Sequence, residues 1–164
     1  MASYKYDFAG RRVEKAVGSD TTRYCYDGAQ VIAERDGNNV ILRRFYYGPG
    51  LDEPICMHRF PTSGGTGLYY YHYDGLGSVI ALSNKDGEIV ERYSYDVFGD
   101  VTIRDANDTV ITESAYGNPF YFTGRRLDDE TGNYYYRNRY YNPEIGRFLQ
   151  TDPIGYADGM NMYT

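Results

Sequence analysis

The phrase Tyr-x-Tyr-Asp recurs at Tyr4–Asp7, Tyr24–Asp27, Tyr71–Asp74 and Tyr93–Asp96, and no other feature of the chain restricts its fold so strongly. The Asp-to-Asp steps are 20, 47 and 22 residues. A degenerate copy, RRFYYGPG, places Tyr47 20 residues after Asp27, and another, SAYGNPF, places Tyr116 20 residues after Asp96. The period is therefore 20 to 22 residues, with one insertion whose excess lies in PTSGGTG at 61–67.

Each unit reads as a β-hairpin. In a strand, side chains alternate between faces, so Tyr4 and Tyr6, Tyr24 and Tyr26, Tyr71 and Tyr73, and Tyr93 and Tyr95 each put two rings on one face. Asp7, Asp27, Asp74 and Asp96 then open turns, the carboxylate accepting from backbone N–H groups, with Gly77 and Gly99 supplying a positive φ. A second strand follows, as in SVIALS (78–83), and NKDGE (84–88) turns into the next unit. A single hairpin cannot bury its apolar face alone, so the units must join into a continuous antiparallel sheet. The rival reading of the repeated Asp, a calcium ligand, lacks the dense Asp-x-Asp or Gly-Gly-x-Gly-x-Asp patterns of calcium loops.

Composition agrees with a sheet and narrows the partners. With 21 Tyr, 7 Phe and no Trp among 164 residues, much of the burial falls to amphipathic rings, which are strand formers. A net charge of −6 repels phosphate backbones and argues against nucleic acid. Cys25 and Cys56 have no metal-ligand spacing to His58 or His72, so no metal site and no cofactor is expected, and Cys25, between two tyrosines, reads as a small buried filler. The chain has no transmembrane run, and its opening MASYKYDFAG does not read as a signal peptide.

The tail carries the candidate chemistry. Read as one strand, Asn133 to Tyr141 places Tyr135, Arg137, Arg139 and Tyr141 on one face and Tyr134, Tyr136, Asn138 and Tyr140 on the other. Guanidinium groups among rings suit stacking and carboxylate pairing. NPEIGRF (142–148) then turns the chain, and LQTDPIG (149–155) brings Asp152 back toward Arg139, where the simplest expectation is a charge-assisted pair that fixes a sheet end.

The units, YHYDGLGSV above all, resemble the YD repeats of bacterial Rhs and wall-associated proteins, of Tc toxin C components and of teneurins. The stretch FTGRRLDDETGNYYYRNRYYNPEIGRFLQTDPIGYADGMNMY (122–163) resembles the Rhs repeat-associated core segment almost element by element. The resemblance implies an all-β fold in which repeated antiparallel hairpins form a strongly curved sheet or a partial, incomplete barrel. It divides the chain into a YD-repeat region at 1–121, with a loop insertion near 48–67, and a truncated core segment at 122–164, the whole being one continuous unit.

Functionally, the resemblance implies a non-enzymatic shell segment that encloses or contacts a polypeptide such as a C-terminal toxin, in a secreted or cell-surface bacterial parent. Its partners are then that cargo and the neighbouring repeats. By the same resemblance, Arg139 and Asp152 match one half of an aspartyl self-cleavage site, whose second aspartate would follow downstream; the sequence ends at Thr164, so no self-cleavage is expected of it. A separate reading is a carbohydrate-binding or cell-surface adhesion module, in which exposed tyrosine rows stack on surface carbohydrate. Unpaired sheet edges also predict weak self-association.

Overall fold

In the computed structural model, which describes residues 1–50, 52–60 and 66–152, the described residues up to Ile111 build one meandering antiparallel sheet. Its strands are β1 (Ala2–Tyr6), β2 (Arg12–Val17), β3 (Asp20–Asp27), β4 (Gln30–Asp36), β5 (Ile41–Tyr47), β6 (Pro54–Arg59), β7 (Gly67–Tyr73), β8 (Val79–Ser83), β9 (Ile89–Tyr95), β10 (Val101–Asp105) and β11 (Val110–Ile111). Spatial order equals sequence order from β1 to β11, and the sheet does not close into a barrel. β6 lies inside the stretch read from sequence as a loop insertion: Pro54–Arg59 pairs with β5 on one side and β7 on the other. The residues 61–65 of that stretch fall outside the described ones.

One turn design recurs. At Asp7, Asp36, Asp74, Asn84, Asp96 and Asp105 the side-chain oxygen accepts from the backbone N–H groups two and four residues on, at 2.8–3.0 Å. The residue three positions after each Asp or Asn donates to that residue's carbonyl and needs a positive φ: 80° at Gly77 and 94° at Gly99. Asn39 (φ 69°) and Asp108 (φ 66°) fill that slot elsewhere, as short polar side chains can. Asp27 departs from the design. It pairs with Gln30 across a tighter turn in which Gly28 takes φ 56°.

The two tyrosines of a unit do different work. The first packs in the core: Tyr24, Tyr71 and Tyr93 are buried, and Phe45 holds the same place in β5. The second sits just past a β-bulge, at Tyr26, Tyr47 and Tyr73. Its hydroxyl donates back to a carbonyl near the start of the preceding strand: Tyr26 to Arg12 (2.8 Å), Tyr47 to Val31 (2.7 Å), Tyr73 to Pro54 and Tyr95 to Val79 (2.5 Å). Each ring thus buries apolar area while its hydroxyl satisfies a backbone acceptor where the ladder is interrupted. In β1, Tyr4 is half-buried and Tyr6 is exposed, since no strand precedes theirs in the sheet.

A second sheet, β12 (Arg126–Asp128), β13 (Asn133–Tyr136), β14 (Arg139–Asn142) and β15 (Arg147–Phe148), follows a short 3-10 turn at Phe122–Gly124. This corrects the reading of Asn133 to Tyr141 as one strand. The backbone reverses at Arg137, whose φ is 62°, and pairs Tyr134 with Tyr141, Tyr135 with Tyr140 and Tyr136 with Arg139. The predicted alternation of faces across the whole stretch therefore does not hold. Cys25 is also half-buried rather than buried, on the sheet face opposite Tyr24 and Tyr26, whereas Cys56 is buried. No helix among the described residues is long and apolar enough to cross a membrane.

Candidate functional site

The aromatic face of the large sheet is a binding surface, and in this protein the C-terminal segment lies on it. Phe120, Tyr121 and Tyr134 join Tyr24, Phe45, Met57, Tyr71, Leu82 and Tyr93 in one core. Contacts are edge-to-face, with Phe120 against Phe45 (5.1 Å, 80°) and Tyr121 against Tyr93 (5.2 Å, 89°), the arrangement favoured by ring quadrupoles. Polar seams complete the docking. Val79 N–H donates to the Tyr121 carbonyl (3.1 Å), Thr123 N–H to Ser78 Oγ (3.0 Å), and Tyr134 and Tyr141 hydroxyls to the Gly99 and Phe98 carbonyls (2.8 and 2.9 Å).

Ion pairs run along the same interface. Arg12 and Asp128, each side chain 1% exposed, form a two-pronged pair, with Nη2–Oδ1 at 2.9 Å. The Arg12 guanidinium also lies over the Tyr135 ring at 4.3 Å, while its backbone N–H donates to Tyr135 Oη (3.1 Å). Burial works against the Arg12 charge, but Asp128 more than offsets it and holds the guanidinium above its ordinary pKa. Lys15 adds contacts to Asp128 (3.2 Å) and Glu130 (3.0 Å). Glu34, nearly buried, pairs with Arg126 and with Arg43 (2.7 Å), and Asp52 bridges Arg125 (2.5 Å) and Arg137.

Buried Glu91 caps the turn after β11. It accepts from the Tyr93 hydroxyl (2.5 Å), Ser114 Oγ (2.7 Å) and Ala115 N–H (2.7 Å). None of these acidic or basic positions belongs to the repeat motif, so repeat reading passes over them. The signal present in the sequence is an Arg or Glu at a ring-facing position of a strand, where an apolar residue is the norm.

The sequence-predicted residues divide into three groups. Tyr24, Tyr71 and Tyr93 are buried under the second sheet and offer no ring face to a sugar, with Tyr26, Tyr73 and Tyr95 packed beside them. Asp7, Asp74 and Asp96, with Gly77 and Gly99, hold turns along the sheet rim. Arg139 and Asp152 stand together: Nη2 and Oδ2 are 3.0 Å apart, and the guanidinium lies 3.6 Å over the Phe148 ring. The residues beyond Asp152 fall outside the described ones.

These features define a class: a sheet grown by hairpin addition, with an aromatic face that covers and is covered by polypeptide. The chain belongs to the teneurin YD-shell family, whose model matches residues 64–162. It is 36% identical over 97% of its length to the tRNA3(Ser)-specific nuclease WapA of Bacillus spizizenii, and 28% identical over 99% to the toxin protein Tse5 of Pseudomonas aeruginosa. It spans only 6% and 14% of those proteins. Among solved structures, a TcdB2–TccC3 crystal structure matches over 99% of this sequence and 8% of its own, with a TM-score of 0.72 at 25% identity. The protein is thus a YD-shell segment, a structural element in proteins of the Rhs and Tc toxin type.

Proposed function

We propose that this segment forms part of the wall of a shell that encloses a polypeptide passenger in a secreted or surface-exposed bacterial protein. One observation supports this above the others: among the described residues β1 and β11 pair on one side only, so the hairpin array can be continued by further repeats at either end. In the division into 1–121 and 122–164, the strands of the first part act as wall and the described residues 122–152 of the second as the segment that folds back onto it. The test is limited proteolysis of a full-length parent carrying its C-terminal passenger. Passenger peptides resistant in the native protein, and released when Ala81→Pro breaks β8, are expected. Passenger peptides cut equally in both would refute enclosure.

The unpaired edges carry a second expectation, weak self-association of the isolated protein. Sedimentation velocity at two concentrations should give a rising sedimentation coefficient, and a constant monomer value would refute it.

The Arg139–Asp152 pair favours a further reading for the tail. In a longer protein it is half of a self-cleaving site: Arg139 holds Asp152 in place, and Asp152 and a second aspartate from downstream share one proton, one carboxylate taking a proton from the water that adds to the scissile carbonyl while the other protonates the departing amide nitrogen. Adding the downstream segment should yield two fragments, lost on Asp152→Asn. An intact polypeptide with both aspartates present would refute it.

A further inference from the structure

We infer that the junction between the β3–β5 hairpin ends and the second sheet holds a carboxylate-binding site, one that takes an Asp or Glu side group or a free polypeptide C-terminus. A cavity of about 40 Å³ lies there, bordered by Arg11, Arg125, Arg126 and Arg137 with Asp52 as its one acidic residue. Four arginines and one aspartate thus border one small cavity. Two of them carry buried donors with no acceptor among the described residues: Nε of Arg125 and Nη1 of Arg126. Arg126 is 7% exposed, so its free N–H is cut off from bulk water, and a buried donor left unmade is costly. Its other nitrogen pairs with Glu34, and Arg125 Nη1 is 2.5 Å from Asp52, so neither residue can turn away without breaking a bond already made.

The size selects the ligand. One water-sized group needs about 10–15 Å³ of such space, so the cavity has room for a planar group of about three heavy atoms and is small for a tetrahedral oxyanion. The remaining wall is apolar, with Phe120, Val31 and the rings of Tyr26, Tyr47 and Tyr135, which suits the methylene or peptide stem behind a carboxylate. Low local polarity strengthens the charge-assisted bonds from guanidinium groups, whose forked donors match carboxylate geometry. Arg11 stands at the rim, held by Asp7 at 2.7 Å and donating to the Gly28 carbonyl at 2.6 Å. It adds positive potential without lying in the floor of the site.

The site is tested on the intact 164-residue protein by following the Arg side-chain Nε–H signals in nuclear magnetic resonance titrations with sodium acetate, sodium sulfate and sodium chloride. The expected result is a saturable shift of the Arg125 signal with acetate, tighter than with sulfate, and no saturation with chloride. Arg11→Gln, a half-exposed position, should weaken acetate binding about two- to fivefold, as loss of one partly screened charge does. N-acetylglycine and N-acetylaspartate α-amide then distinguish a polypeptide terminus from a side-chain carboxylate by which binds more tightly. Drift identical in acetate and chloride, tighter sulfate binding, or saturation unaffected by Arg11→Gln would each overturn the assignment.

Discussion

Replacing Asp128 by Asn removes one charge from a pair whose two side chains are each 1% exposed. The amide keeps the shape of the carboxylate, so the loss is electrostatic and is not a packing defect. Arg12 would then sit buried beneath Tyr135 without a counter-ion, and breaking a buried pair in this way costs about 3–5 kcal/mol. For a protein of 164 residues, an unfolding entropy of about 0.34 kcal/mol/K turns this into a fall in Tm of about 9–15 °C. Urea unfolding should show the same loss at an unchanged m value.

The double variant Arg12→Met with Asp128→Leu removes both charges and should recover most of that loss, because neither desolvated ion remains. Lys15 keeps Glu130 as its partner in either variant, so it does not confound the comparison. A cost below about 1 kcal/mol for Asp128→Asn is the range of solvent-screened surface pairs and would refute the reasoning. So would a double variant as unstable as the single one.

Other consequences follow from the turns and bulges. Tyr95→Phe leaves the Val79 carbonyl without its 2.5 Å donor and should cost about 1–2 kcal/mol in chemical denaturation, while Tyr6→Phe, at an exposed position, should cost almost nothing. Gly99→Ala should be much more damaging than Gly10→Ala in thermal melts. Both glycines have positive φ, but a methyl at Gly99 would lie 2.5 Å from the Phe122 ring, whereas one at Gly10 meets open space. Backbone N–H bonds from Asp100 and Phe98 hold the Asp96 carboxyl below the usual aspartate range. Its stabilising contribution is therefore complete above the unfolded aspartate's pKa and is lost as pH falls through the folded one; Asp96→Ala should flatten the acid limb of the stability profile.

The repeat made the large sheet legible because its signals are local. A Tyr-x-Tyr pair states the face, and Asp or Asn followed three residues later by Gly, Asn or Asp states the turn. The reversal at Arg137 and Asn138 was not legible: neither residue is Gly or Pro, and it is Arg137, a residue type that rarely takes a positive φ, that adopts one while pairing with Asp52. β6 was hidden for a related reason, since Pro54 opens it and the glycine-rich stretch that follows draws the eye to a loop. The ion pairs that tie the C-terminal segment to the large sheet join residues distant in sequence, 116 positions apart for Arg12 and Asp128 and 73 for Asp52 and Arg125, and no local pattern announces such a partner. Arg139 and Asp152 were legible as neighbours because one short turn separates β14 from β15, and Asp152 lies four residues past the end of β15.

Amide hydrogen exchange resolved to single residues tests most directly whether the second sheet closes the aromatic face of the first. The amides of Tyr134 and Tyr135 should exchange as slowly as those of Leu82 and Tyr93, since all four residues are buried together and opening one side exposes the other. Exchange of 126–148 at the rate of an unstructured peptide, with β7 to β9 still protected, would mean that the sheet stands without its cover and would contradict the account.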